Sequence, residues 1–336
     1  MQTAVVPPED TRVVLQLPHN LEHVRSWAMP RLKAARSQLA VAGFPSICFW
    51  WTDNERSRHA DRLRSEVSDL CNGRLASFDV DVYPQNTELI KEIRSRSPPK
   101  YGGPNRWHWY FADVPFLLAS RPLWRWIGES QVIWYVEWDV AWTGNLGTIF
   151  RKLSPPSSKF GLGLYNYGCM SCNAKRSSEW QGCVLGNWSS FGNIDNPVRQ
   201  HICTGTIQLT WYSPRLLREL AQSLTDKPGD LLYCEANAAT ACAARSPWGC
   251  QIDTFGTRVP GAFGRWASNA WEAGGSTDAD LVAPYNAEDR LYHAVKRPEM
   301  EGVLPVKFWE LANKSGGENI LSGSAILTRR YGWQRS

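Results

Sequence analysis

Residues 131–144 read Gln131-Val132-Ile133-Trp134-Tyr135-Val136-Glu137-Trp138-Asp139-Val140-Ala141-Trp142-Thr143-Gly144. β-Branched and aromatic side chains fill positions 132–136, the composition of a strand buried on both faces. Glu137 and Asp139 interrupt the run near its end, just before Gly144-Asn145, a turn signal. Side chains two apart on a strand share a face, so the pattern predicts two carboxylates converging at the end of a buried strand. Buried carboxylates are costly unless compensated, and hard oxygen ligands suit Mg²⁺ and Mn²⁺. The stretch points to metal-assisted chemistry on a phosphate-bearing substrate.

The flanking segments alternate in type. Strands are predicted at Thr11 to Leu17, Ser46 to Trp51 and Leu75 to Tyr83. Between them, Leu21 to Val41 carries a helical stripe through Leu21, Val24, Trp27, Leu32 and Leu39, interrupted by Pro30. Asn54 to Leu70 is a charged amphipathic helix stopped by Asn72-Gly73. Beyond the acidic stretch, strands are predicted at Lys159 to Tyr165 and Gln208 to Tyr212, and helices at Pro214 to Ser223 and Leu231 to Ala244. This order predicts an α/β fold with a mostly parallel central sheet flanked by helices. Residues 1–10 read as a disordered lead-in, 11–310 as a single domain and 311–336 as a tail. The stretch from Leu281 to Leu304 shows no regular period.

Bulk composition narrows the function classes. The chain has 336 residues, 43% hydrophobic and 21% charged, which is the balance of a packed globular protein. The net charge of +5 comes without a dense Lys/Arg block, so no nucleic-acid partner is expected. No apolar run reaches the ~20 residues of a membrane span, and residues 1–12 lack the pattern of a secretory signal. A soluble chain is expected, cytoplasmic by default, or lumenal in the secretory pathway if an N-terminal anchor is missing. The 18 Trp read mostly as core bulk. Nine Cys form no regular framework, which argues against a full disulfide scaffold while leaving room for one or two bridges.

The three-strand start, the aromatic helix bearing Asp113, and the strand ending Val136-Glu137-Trp138-Asp139-Val140-Ala141-Trp142-Thr143-Gly144 together resemble the GT-A class of glycosyltransferases. These enzymes use nucleotide-sugar donors and carry an acid-x-acid element, usually Asp-x-Asp, that holds a divalent metal against the donor diphosphate. Here Glu stands at the first position. The resemblance implies a GT-A-like, Rossmann-related sheet, with a nucleotide-binding half at 11–150 and an acceptor half at 151–310. It implies Mn²⁺ or Mg²⁺ held by Asp139, with Glu137 as a further ligand or a contact to ribose or a metal-bound water. Arg290-Leu291-Tyr292-His293-Ala294-Val295-Lys296 is similar to a late His-x-x-Lys element of some members, in which His293 would complete the metal site and Lys296 would meet the diphosphate. It further implies a base or ribose contact for Asp113, phosphate contacts for Arg121 and Arg106, and nucleobase contacts for His19 and Asn20. Partners would be a UDP- or GDP-sugar donor and a glycan or glycoprotein acceptor, in a hexosyl- or pentosyl-transfer reaction.

For an inverting reaction a base must take the acceptor proton. Glu235, near the start of a predicted helix, is the first candidate and Asp253 the second. An ordinary first-turn helix acid is the other reading of Glu235, and an N-cap the other reading of Asp113. Trp188, with Trp180 and Phe191, lies in a long Gly/Ser/Asn-rich stretch suited to bordering an acceptor sugar. Cys169-x-x-Cys172 with Cys183 and His201 lacks the second tight pair that structural zinc needs. Asp79-x-Asp81 reads as a half-exposed edge. Two other function classes stay open: a non-catalytic carbohydrate- or nucleotide-binding protein on the same scaffold, and a glycoside hydrolase using Glu137 and Asp139 as its carboxylate pair.

Overall fold

The computed structural model describes residues 5–17, 29–52, 64–65, 67–69, 71, 74–79, 84–95, 107, 111–156, 160–171, 201–226, 232, 234–266 and 289–293. The strands are β1 (Thr11–Gln16), β2 (Ser46–Thr52), β3 (Leu75–Asp79), β4 (Val132–Val136), β5 (Ala141–Thr143), β6 (Gly161–Leu164), β7 (Gly168–Ser171), β8 (His201–Thr204), β9 (Leu209–Tyr212), β10 (Gln251–Thr254), β11 (Phe263–Trp266) and β12 (Arg290–His293). The α-helices are α1 (Met29–Val41), α2 (Pro84–Ser95), α3 (Val114–Ala119), α4 (Trp124–Ile127), α5 (Leu146–Leu153), α6 (Pro214–Asp226), α7 (Cys234–Ala244) and α8 (Phe255–Arg258).

Seven strands form one sheet in the order β10-β6-β9-β4-β1-β2-β3. β1 pairs in parallel with β2 and β4, β2 with β3, and β6 with β10, while β9 runs antiparallel to both β4 and β6. The mostly parallel α/β sheet expected from the sequence is present. Ladders cross between residues before and after 150 at β4–β9 and at β5–β12. β3 is an edge strand, as the Asp79-x-Asp81 pattern suggested; Asp81 lies outside the described residues.

Every residue of β4 is buried, and its side chains alternate between two cores. Val132, Trp134 and Val136 pack with α1 and α5 through Leu32, Leu39, Ile149 and Phe150. Ile133 and Tyr135 pack with α3, α6 and α7 through Phe116, Leu216, Leu217 and Ala238. A sheet covered by helices on both faces explains why the central strand is continuously apolar. The described part of α1 begins with Met29-Pro30. Residues 21–28, predicted as part of this helix, lie outside the described residues.

Three expectations are corrected. Residues 5–10 of the predicted lead-in are ordered: Val6 is buried, its N–H donates to Pro155 O at 3.1 Å, and residues 8–10 form a 3₁₀ turn. Apolar burial of Val6 and its backbone bond to Pro155 hold this segment in place. Among the described residues there are three disulfides, Cys48–Cys71, Cys169–Cys203 and Cys242–Cys250, more than the one or two allowed for. Their separations of 23, 34 and 8 residues follow no regular spacing, and Cys169 is thereby removed as a zinc ligand. The stretch read as irregular contains β12, which pairs antiparallel with β5 and parallel with β11. No described helix is long and apolar enough to cross a membrane.

Trp134, Trp211 and Gly163 lie in one row across β4, β9 and β6. The Trp211 indole occupies the space that a side chain at Gly163 would need. Gly163→Ala should therefore cost about 1–3 kcal/mol by overpacking. Urea unfolding of the single and double variants checks this: Trp211→Phe should couple with Gly163→Ala, the double variant being more stable than the sum of the two losses predicts.

Candidate functional site

β4 ends at Val136, and the next four residues form a turn that returns the chain into β5. Glu137 and Asp139 lie in this turn rather than on the strand, which corrects the strand-face argument for their convergence. The turn is closed by the Val140 N–H donating to Glu137 O at 3.3 Å. On its other side the Glu137 N–H donates to Gln208 O at 2.9 Å, joining the turn to the entry of β9. Asp139 is fully buried and Glu137 half-buried.

The register of β12 against β5 pairs Tyr292 with Ala141. One residue further along, this brings His293 level with Val140, beside Asp139. His293 Nε2 lies 3.4 Å from Asp139 Oδ2, and both side chains are buried. One ligand atom each from Glu137, Asp139 and His293 lie within 4.8 Å of one another. The predicted metal triad is thus assembled by a turn and a strand far apart in the sequence.

β12 is pinned by Asp289, whose carboxylate accepts from Asn145 N at 2.8 Å and pairs with Lys152 at 3.3 Å. Gly144 has a φ of 67°, and a Cβ there would run into Asp289, so this turn requires glycine. Asn145 caps α5, its side chain accepting from Thr148 N at 3.0 Å.

The donor set fits a divalent cation. Two carboxylates and an imidazole offer oxygen and borderline nitrogen ligands. Arg31, fully buried in α1, exerts a favourable charge interaction on Asp139, although burial lowers its own pKa to about 10. Two carboxylates against one guanidinium leave an excess negative charge that a dication would offset.

Glu235 is the second residue of α7, and Gly205 N–H donates to its backbone oxygen at 2.9 Å. Burial raises its carboxyl pKa; a hydrogen bond to the Gln208 side chain and the nearby His293 pull it down. Glu235 therefore sits within electrostatic reach of His293. Asp253 is placed differently. It forms a two-point pair with Arg258 at 2.9 and 2.8 Å and accepts from Trp211 Nε1 at 3.3 Å. Arg258 also donates to Leu153 O and Ser154 O, so this group ties β10 and α8 to the end of α5.

Asp113 precedes α3, but its side chain makes no cap hydrogen bond. It is buried and accepts from Asn237 Nδ2 of α7 at 2.8 Å. Burial raises its pKa from 3.8 to about 7. The same buried neighbourhood holds Tyr135, Tyr212 and Cys234, all raised by burial first and by the surrounding acids second. Arg121 is exposed and donates to Ala221 O and Thr225 Oγ1, joining the loop after α3 to α6 rather than reaching toward the triad. His19, Asn20, Arg106, Trp188 and Lys296 lie outside the described residues.

No family model matches the sequence, and no curated protein matches it. Among solved structures, mouse xyloside xylosyltransferase 1 in its apo form is similar at 15% identity and a TM-score of 0.40, over 86% of this chain and 100% of that one. The S. cerevisiae mannosyltransferase Ktr4p is similar at 11% identity and a TM-score of 0.32, over 71% of this chain and 67% of that one. Both of those proteins are named for sugar transfer.

Three neighbours of the site were not apparent from the sequence: Arg31, Gln208 and Asn237. Arg31 and Gln38 are polar residues seven apart within a face that also carries the buried Leu32, Ala35 and Leu39. That pattern was the available signal, and a surface helix gives it equally well.

The raised pKa of Asp113 sets a pH dependence. Folded Asp113 holds its proton up to about pH 7, whereas the unfolded chain releases it near 3.8. Its contribution to stability is full below the lower value and is lost as pH rises through the upper one. Asp113→Asn should consequently gain roughly 2–4 kcal/mol over wild type at pH 8, since each tenfold change in proton affinity is worth about 1.4 kcal/mol. The gain should shrink toward zero at pH 4, as read by urea unfolding across that range.

Proposed function

We propose that this chain is a metal-dependent glycosyltransferase that moves a hexosyl or pentosyl group from a UDP- or GDP-sugar to a glycan or glycoprotein hydroxyl. The observation that carries the proposal is the meeting of Glu137, Asp139 and His293 at the carboxyl end of β4. Ligands of open α/β sheets bind outside the carboxyl ends of the strands, so the triad lies where a nucleotide would be received. Asp139 and His293, with Glu137, would hold Mn²⁺ or Mg²⁺. When bound, such an ion acts as a Lewis acid on the departing diphosphate.

The chain's own residues supply the rest. Glu235, raised by burial yet hydrogen-bonded to Gln208, is the base assigned to the acceptor hydroxyl in an inverting transfer. Asp253 is the weaker candidate because Arg258 occupies both its oxygens. Lys296, three residues beyond His293, is assigned to the diphosphate. Asp113, His19 and Asn20 are assigned to the nucleoside, and Trp188 to the acceptor. The three disulfides favour maturation in an oxidising compartment, hence the lumenal alternative over the cytoplasmic one. Glycoside hydrolysis suits the site less well, since two acids in one short turn do not flank a sugar from opposite sides.

Thermal unfolding with UDP and GDP, each with and without Mn²⁺, tests the proposal. A ligand at about 100 times its dissociation constant adds about 2.7 kcal/mol of stability. Stabilisation is expected only with nucleotide and metal together, and it should disappear in Asp139→Ala. Absence of any nucleotide-dependent shift with Mn²⁺ present would overturn the donor site. Nucleotide binding without sugar transfer to any acceptor class would leave a binding protein on this scaffold.

A further inference from the structure

Arg31 and Gln38 lie seven residues apart in α1, two helical turns, and so face the same way. Both reach into the segment that carries the acids. Arg31 Nε donates to Val140 O at 2.6 Å and Arg31 Nη2 to Glu137 O at 2.7 Å. Gln38 Oε1 accepts from Trp142 Nε1 at 3.0 Å and from Leu146 N at 2.7 Å. The Arg31 guanidinium also lies 5.9 Å from the centroid of the Trp142 ring. One helix therefore grips residues 137–146 at four points, and the two carbonyls held by Arg31 bracket Asp139.

We propose that Arg31 is the positioning residue of the metal-binding turn: its planar fork fixes the Glu137 and Val140 carbonyls and so holds Glu137 and Asp139 in ligating geometry. This deepens the metal-site reading above and rests on it. Two carbonyls on the two arms of one guanidinium define both the spacing and the plane of the turn, which a single ammonium cannot do. Arg31 also has an opposite effect. A cation beside Asp139 repels a second cation, so a residue serving only as counter-charge would weaken metal binding. Positioning and repulsion thus predict opposite changes when the guanidinium is removed.

The test measures Mn²⁺ binding to the full chain, from the electron paramagnetic resonance signals of free and bound ion, alongside circular dichroism. Wild type is expected to bind Mn²⁺ and Asp139→Ala not to. Arg31→Lys keeps the charge and loses the fork, and its Mn²⁺ dissociation constant should rise about 10–100-fold, the usual consequence of losing an outer support of a metal site. Arg31→Met should bind more weakly still. The line shape of the bound ion should change in Arg31→Lys, which loss of stability alone would not produce.

Folded Arg31→Lys binding Mn²⁺ within twofold of wild type, or Arg31→Met binding more tightly, would overturn the proposal. If both Arg31 variants fail to fold, Gln38→Met decides: it loosens the same segment from the other end without altering charge. Several-fold weaker Mn²⁺ binding there supports the splint, and unchanged binding rejects it. Failure of the wild-type chain to bind Mn²⁺, or equal binding by Asp139→Ala, would instead remove the underlying metal reading.

Discussion

A buried guanidinium and a buried carboxylate share the end of the central strand. Neither Arg31 nor Asp139 would be tolerated there alone, because an isolated charge removed from water costs several kcal/mol. Together, with two backbone carbonyls taking the guanidinium N–H groups, they become compatible with the core. The arrangement requires α1 to pack against the β4–β5 turn. It also requires the apolar contacts of Leu32 and Leu39 with the sheet that keep α1 in place.

Around this point the fold is organised by β4. Its two alternating sets of side chains face two separate cores, so it is the shared wall between them. β9 returns antiparallel beside it, which brings Gln208 to Glu137 and places Gly205 against the first turn of α7. The acids, the histidine and Glu235 are therefore not independent additions. Each sits at or just beyond the end of a strand or helix, which is how a rigid scaffold presents polar groups at one edge. The polar layer beneath, Asp113 with Asn237, fastens the start of α3 to the same helix that carries Glu235.

Much of the scaffold was legible in the sequence because its elements are strongly patterned. β1, β2, β4 and β9 were recognisable as runs of β-branched and aromatic residues, and α6 by its helical period. β12 was not, since only four residues pair there and they alternate no more clearly than a loop. The disulfides were hidden because their partners are brought together only by folding; Cys48 and Cys71, for example, are 23 residues apart. The ordered segment at Val6 was hidden because the Pro155–Pro156 backbone that holds it is remote in the sequence.

The sequence by itself determined the alternation of strands and helices, the apolar character of β4, and the presence of two acids and a late histidine able to ligate a metal. Those are local properties, written in periodicity and residue chemistry. Tertiary structure alone decided that the acids sit in a turn, that β12 delivers His293 to Asp139, and that Asp253 is taken by Arg258 while Glu235 meets Gln208 and feels the charge of His293. It also decided that Arg31 is buried against the turn rather than on the surface. These outcomes depend on strand register and on burial of charge, and both are set by contacts between segments distant along the chain.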